Sequence, residues 1–478
     1  MPTPSPRRDR RFWLAALALV AVGALLRLLA ARGDLWLDEI WSLQLAGVAG
    51  SVAGVFTALH HDNNHYLNTV WLLWCGPAAG PLLYRAVSVA SGAVMLAALA
   101  ARPLGLDRGQ TLAALLLNAV SPLLVVLQSE ARGYGLAMAC AVAGALCLGR
   151  LLDEPRPGRA AAFAAIAVAG LLAHLTFLFA LTAFAAWSAV ALLSRRDFRS
   201  RTLACFAVAF AFPGLALGAL WALDLRVLKV GGGPEFERVA VLRQLLRETL
   251  GLQSGFGELA GALFLAAALF EVARLIRARR AEWAFYLTVL VLAPTLVILG
   301  SHAEYQAPRY FSVAMPFLLV LVGSVLARLW DSGWLGRGGA ALLLAVFLVG
   351  SARELFGLVA LGRGHYREAV AYLIQNSPPD DPTIGSDHDF RNPMLLAYFA
   401  RQLAGGDVLQ YEPQAQWTTH APRWFIRHDP SETPDTRDFS LGGVGHYHLE
   451  RQFPFYGGIS GWHWLVYRRA DSGSAPGR

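Results

Sequence analysis

The chain has 478 residues, of which 56% are hydrophobic and only 15% charged, whereas a soluble protein carries nearer a quarter charged residues. Its formal charge of +8 comes from 41 Lys+Arg against 33 Asp+Glu, a mild excess that arginine-rich cytoplasmic loops create by themselves. No basic stretch is interleaved with aromatics as nucleic-acid binding would need, and Cys75, Cys140, Cys147 and Cys205 form neither a metal-ligand pair nor a disulfide framework; the chain reads as an all-α polytopic membrane protein.

The opening stretch, MPTPSPRRDRRFWLAALALVAVGALL, has the outline of a signal peptide. Its apolar run is longer than a signal core and no small-residue cleavage site follows, so it reads as a retained first span. Comparable runs recur, each long enough to cross about 30 Å of hydrocarbon. They predict about eleven spans, near 12–31, 82–101, 110–127, 134–152, 160–175, 176–194, 202–221, 257–276, 283–300, 309–328 and 338–359. The run from Ala160 to Ser194 is divided because it exceeds one crossing and because His174 and Thr176 mark a polar midpoint. With a cytoplasmic N terminus, Arg7, Arg8, Arg10 and Arg11 start inside. Arg102 with Arg108, Arg156 with Arg159, the cluster Arg195–Arg201, the cluster Arg274–Arg280, and Arg328 with Arg337 then all fall in inside loops, as the positive-inside rule requires. An odd number of spans places the C terminus outside.

Three parts are not spans. The first outer loop, 32–81, holds IWSLQLAGVAGSVAGVF and YLNTVWLLW, which suit helices lying in the interface. The second, 222–256, has a glycine run read as a hinge and a helical pattern in ERVAVLRQLLRETL. The tail mixes a helix candidate, REAVAYLIQN, with strand candidates RWFIRH, HYHLERQF and WLVYRR. The expected division is a membrane domain over 1–362 and a small α/β extracytoplasmic domain over 363–478.

Five segments bring polar groups to the outer side. Asp38 and Glu39, in DLWLDEIWS, are adjacent carboxylates where the chain leaves the bilayer. Such a pair is costly near lipid unless solvated or used; it reads either as a proton acceptor with a partner that holds metal or substrate, or as a solvated helix start. In HHDNNHY, a helix from Asn64 onward sets His61 and His65 one turn apart beside Asp62. That spacing suits a shared metal, while the alternative is a polar cap on the helix through YLNTVWLLW. SEARGY forms a very short turn, in which Arg132 suits a phosphate and Glu130 orients it; a local ion pair is the alternative. His174 is a lone polar group at the end of a span, and Arg309 with Tyr310, in HAEYQAPRYF, is placed to hold an anion or to snorkel to the interface. Convergence on one side is what a lipid-phosphate substrate needs: an apolar groove, cations for phosphate and a carboxylate at the reacting carbon.

The order of these motifs resembles the GT-C membrane glycosyltransferases, in the bacterial branch related to protein O-mannosyltransferases and lipid A aminoarabinose transferases. WLDEIWS resembles their first-loop acidic motif, and HHDNNHYLNTVWL their second first-loop motif, with Tyr66 where relatives usually have proline. LYRAVSVASG, led by Arg85, resembles the start of their second span, and QSEARGYGL, with Glu130, Arg132 and Tyr134, their short-turn motif. AHLTFLF, APRYFSVAMPFLLVL and the tail ending GWHWLVYRR resemble later segments. The resemblance implies a multi-pass protein of the bacterial cytoplasmic membrane that takes a sugar from a polyprenyl-phosphate donor. An acceptor glycan, lipid or protein would receive it on the outer face, by an inverting displacement. Asp38 would be the general base. Glu39 and the His61–Asp62–His65 segment, with His174, would position the donor or hold a divalent metal, the one cofactor the resemblance brings in. Arg132, Arg309, Tyr134, Tyr310, Glu130 and Arg85 would serve the departing phosphate. The rivals are a flippase for lipid-linked sugars, which would carry binding groups at mid-membrane and paired halves, and a glycan polymerase or ligase.

Overall fold

The structure is a computed structural model that describes residues 6–196, 198–230, 237–252, 256–300, 306–417, 421–441 and 445–470. The chain forms two compact units, Met1–Ala31 with Leu45–Leu355, and Arg32–Gln44 with Phe356–Arg478.

The first unit is a helical bundle, the arrangement that satisfies backbone groups without water. Among the described residues nine helices are long and apolar enough to cross a membrane: Asp9–Ala30, Pro81–Ala100, Tyr134–Asp153, Leu175–Arg195, Ser200–Val227, Glu258–Arg277, Glu282–Gly300, Pro308–Asp331 and Trp334–Asn376. Two expected spans fall outside that set. The run 110–127 folds as Arg108–Val120 and Pro122–Leu127. Pro122 has no amide hydrogen and pushes Ser121 into an extended conformation at φ −63°, ψ 123°. Pro157–Ala173 is only 17 residues long, at the short limit for a crossing. It stops where the sequence expects a division. His174 is extended at φ −163°, ψ 135°, and a 3-10 turn over Leu175–Phe177 leads into Leu178–Arg195.

Every residue from Met315 to Leu326 is buried, which makes Met315–Asp331 the bundle's core helix. A Cβ at Gly323 would lie 2.6 Å from the Ala114 amide nitrogen; the small residue lets two helix backbones meet. Charge inside the bundle is matched. The buried Arg27 donates to Gln128 Oε1 at 2.7 Å and to the carbonyls of Gly23, Asn118 and Ala119. Buried Glu271 accepts from Arg274 and Arg328 at 2.8 and 2.5 Å. The first loop carries short helices Val52–Thr57 and Tyr66–Cys75, and the second carries Arg238–Leu250 as expected. The glycine run at 231–233 lies outside the described residues.

The second unit is built on one mixed sheet. Its strands are β1 (Thr383–Ser386), β2 (Gln410–Tyr411), β3 (Trp424–Asp429), β4 (Phe439–Leu441), β5 (Gly445–Phe453) and β6 (His463–Arg469), in the order β2-β1-β3-β6-β5-β4. β1 pairs in parallel with β2 and β3, and the remaining pairs are antiparallel. Alternate side chains leave the two faces. Trp464 stacks edge-on against Tyr366 of helix Tyr366–Asn376, and its Nε1 donates to Asn392 of helix Arg391–Ala400. Phe425, Leu465 and Tyr467 join Tyr447 and Ala421 in a second cluster, against which Trp417 and Phe439 pack. Burial on both faces explains why WFI and WLVY are continuous apolar runs. The three strand candidates and the helix candidate of the tail all form.

Candidate functional site

The short turn at Ser129–Gly133 is held from three sides of the helical unit. Asn68 Nδ2 donates to the Ala131 carbonyl at 2.7 Å, and Ser88 Oγ to the Arg132 carbonyl at 2.9 Å. The Gly133 amide donates to His65 Nδ1 at 3.0 Å. Gly133 is obligatory here, because a Cβ would collide with the Ala173 carbonyl and press on the His65 Cβ. A loop residue, two helices and the end of Pro157–Ala173 thus converge on one turn.

A cluster of rings and cations sits on that turn. His65 and His174 lie 4.6 Å apart between centroids, with Tyr134 at 5.4 Å from His65 and 4.3 Å from His174. Tyr310 stands 6.4 Å from His174. The Arg132 guanidinium lies 5.2 Å from the Tyr134 ring centre, and that of Arg309 lies 5.9 Å from the Tyr310 ring centre. Burial pushes His65 well below its ordinary value, and His174, Arg132 and Arg309 push the same way. Burial also pushes His174 down to about 3, with Arg132 and Arg309 acting in the same direction. Both imidazoles are therefore neutral.

Their tautomers follow from the backbone. A neutral imidazole has one donor and one acceptor nitrogen. His65 Nδ1 accepts from Gly133, and His174 Nδ1 accepts the Thr176 amide at 3.1 Å. Each Nε2 therefore carries the proton, and each is buried with no acceptor among the described residues. A buried donor left unmatched costs about 1–3 kcal/mol, so two of them side by side favour an anionic acceptor.

The segment HHDNNHY is clamped to residues beyond the helix Ser200–Leu223. Asp224 is buried and accepts from His60 Nδ1 at 2.8 Å and from the Tyr66 hydroxyl at 2.6 Å. Burial and then the Asp224 hydrogen bond push the Tyr66 phenol up, so it remains a donor. Lys229 bridges His61 in parallel, its amide donating to the His60 carbonyl and its carbonyl accepting from the Asp62 amide. Tyr310 closes the set, its hydroxyl donating to Asp62 Oδ2 at 3.3 Å. Asp224, Asn68 and Ser88 were not singled out by the sequence reading. The one available signal was Asp224, a lone carboxylate at the end of a span.

The structure brings together His65, His174, Arg132, Tyr134, Arg309 and Tyr310, with Asp62 joined through Tyr310. Arg85 is fully buried, and one guanidinium nitrogen donates to the Ala31 carbonyl at 2.9 Å. Glu130 is fully buried, and its carbonyl accepts the Arg132 amide at 2.8 Å. His302 to Tyr305 lie outside the described residues. In the second unit, Asp38 and Glu39 open the helix Leu37–Ala49. Glu39 reaches back to the Trp36 amide at 3.2 Å, a cap on its own helix start. Both carboxylates are buried, and helix polarity favours negative charge at that end. Trp36 lies 6.3 Å from Trp462, and Trp41 lies 5.0 Å from Phe390.

Metal ligation by His61 and His65 was one of two readings of their spacing, and it required a helix from Asn64 onward. The helix instead begins at Tyr66, with His65 at φ −95°, ψ 95° as its non-helical cap, so the two histidines are not one turn apart on a helix. His65 and His174 present N–H groups, not lone pairs, at Nε2, and in that form they do not fit a metal. Among the described residues, the set of such side chains with ligand atoms within 4.8 Å of one another is Asp438, His446 and His448, all exposed.

An apolar groove of about 470 Å³ runs along the helix Pro157–Ala173, lined by Leu67, Ala164, Val168, Leu172 and Phe212 among others. Leu67 and Leu172 are each two residues from a clustered histidine.

No family model matches this sequence, and no curated protein matches it. Solved structures do. The apo structure of ArnT from Cupriavidus metallidurans is 14% identical, with 98% of this chain and 100% of that one covered and a TM-score of 0.53. The apo oligosaccharyltransferase of Archaeoglobus fulgidus is 11% identical over 80% of this chain, with a TM-score of 0.50. This chain spans only 64% of that protein's length. ArnT bound to undecaprenyl phosphate is 16% identical over 99% of this chain and 100% of its own, with a TM-score of 0.49. At such identities the likeness is one of fold alone, and the fold is the one seen in the Cupriavidus ArnT.

Proposed function

We propose that this protein transfers a sugar from a polyprenyl-phosphate donor to an acceptor outside the cytoplasmic membrane. The observation that carries the reading is the cluster of cations and neutral N–H donors, together with an apolar groove along Pro157–Ala173, the helix that ends at His174, in a fold shared with the Cupriavidus ArnT. Phosphate needs the donors and the lipid chain needs the groove. The Cupriavidus ArnT, a protein of the same fold, is one that binds undecaprenyl phosphate.

In this reading Arg132 and Arg309 neutralise the phosphate as it departs, when its charge grows most, and Tyr134 and Tyr310 hold their planes. Asp38 accepts the proton of the attacking hydroxyl or amine, and the sugar carbon inverts in a single displacement. Glu39, committed to the Trp36 amide, positions the helix that carries Asp38. A flippase would need binding groups at mid-membrane, whereas His65 and His174 lie at helix ends.

The test compares membrane glycolipids and glycoproteins by mass spectrometry in cells with and without the gene. One product lacking in the deletion should return with the wild-type chain but not with Asp38→Asn, which still folds. An unchanged profile defeats the transferase reading, and rescue by Asp38→Asn defeats the base assignment.

A further inference from the structure

We propose that His65 and His174 act as uncharged N–H donors to the phosphate of the lipid-linked substrate and are not metal ligands. This rests on the reading that the cluster receives that phosphate. Backbone amides only donate, and the Gly133 and Thr176 amides point at the two Nδ1 atoms at 3.0 and 3.1 Å. A metal at either Nε2 needs a lone pair there, which moves the ring proton to Nδ1, against an amide hydrogen. At His174 the Thr176 hydroxyl also lies 2.9 Å from Nδ1 and serves either tautomer, so at both rings it is the amide hydrogen that blocks a proton on Nδ1. Charge agrees with this, since Arg132 and Arg309 are close enough to act on both rings. Two guanidinium groups repel a divalent cation and attract an anion. The non-bridging oxygens of a phosphate accept hydrogen bonds from cations and neutral N–H groups alike. Both Nε2 atoms are buried with no acceptor among the described residues, and that chemistry supplies one.

The experiment titrates the purified full-length chain with geranylgeranyl phosphate, inorganic phosphate and zinc chloride. His65→Ala and His174→Ala should each weaken geranylgeranyl phosphate on the order of tenfold, the effect of one hydrogen bond to a charged group. His65→Gln and His174→Gln place an amide N–H near the position of Nε2 and should stay within about twofold to threefold of wild type, on the same scale. In 15N-histidine spectra, the protonated Nε2 resonances missing from the two Gln variants should shift with geranylgeranyl phosphate and not with zinc. Inorganic phosphate should fail to compete at equal concentration; equal competition would reassign the site to free phosphate. The inference is overturned if both Ala variants bind as wild type, if the Gln variants are as weak as the Ala variants, or if zinc binding is lost with either histidine. Arg132→Ala and Arg309→Ala separate the two claims. If they weaken binding and the histidine variants do not, only the histidine inference falls. If neither set matters, the lipid-phosphate reading falls with it.

Discussion

His174 is neutral because it is buried, and that neutrality has a cost that depends on pH. Its value in the folded chain is pushed down to about 3 from an ordinary 6.5. The unfolded chain therefore takes up a proton that the folded chain refuses. Linkage then assigns a contribution that is complete above pH 6.5 and is lost progressively as pH falls towards 3. His65 is shifted in the same direction. The melting temperature in detergent should drop between pH 7 and 5, by the several degrees that about 2 kcal/mol gives in a large domain. His174→Gln should flatten that drop, because it removes the titrating group and keeps a polar side chain. An identical pH slope in the two proteins would show that His174 is charged in the folded state. The sequence could mark His174 and His65 as polar groups out of place. It could not say which nitrogen carries the proton, since that is set by the amides of Gly133 and Thr176. The spacing of His61 and His65 misled for a related reason. Periodicity reads a helix through Asn64, whereas the fold uses Asn64 Nδ2 to bind the Val55 and Leu59 carbonyls and starts the helix two residues later.

The first-loop segment keeps its shape through Tyr66, at the position where the glycosyltransferases that the sequence resembles usually have proline. A proline would fix the backbone by its ring. Tyr66 fixes it from outside, by donating to Asp224, which also holds His60. The rigidity has moved from a covalent ring to a buried carboxylate 158 residues away. Tyr66→Phe removes a hydrogen bond to a charged group, worth about 1.5–3 kcal/mol. Backbone hydrogen exchange over residues 60–66 should accelerate by about tenfold or more on that scale, with the bundle helices unchanged. A sugar-transfer assay should show a raised donor KM, because His65 loses its footing on Gly133. Exchange as slow as in wild type would show that the Lys229 pairing alone holds the loop. Long-range partners of this kind are what one sequence hides. The helices of the bundle were legible because each is a local run of apolar residues, and β3, β5 and β6 because their runs are bounded by turns. β1, β2 and β4, at two to four residues each, exist only through their neighbours.

At the scale of the whole chain the open question is parity. Among the described residues nine helices reach crossing length by composition, and Arg108–Leu127 and Pro157–Ala173 are the two segments that decide it. If both cross, or if neither does, the ends of the chain lie on opposite sides. If one crosses alone, both ends share a side. Arginine placement chooses among these. With Arg102 and Arg108 inside, Arg156 and Arg159 return to the inside only if the segment between has crossed twice. The helix Tyr134–Asp153 supplies one crossing, so 108–127 supplies the other despite its break at Ser121. By the same step Arg195, Arg196 and Arg199 require Pro157–Ala173 to cross before Leu178–Arg195 returns. On that placement the cluster of His65, Arg132, His174 and Arg309 is expected on the outside, and the tail likewise. We therefore expect Ser431→Cys, on an exposed turn of the tail, to react with a membrane-impermeant maleimide on intact spheroplasts. The background is a chain in which Cys75, Cys140, Cys147 and Cys205 are replaced by serine. Arg156→Cys should react only after lysis. Reaction of both before lysis, or of neither, would place the two residues on one side and break the alternation from which the outer-face assignment follows.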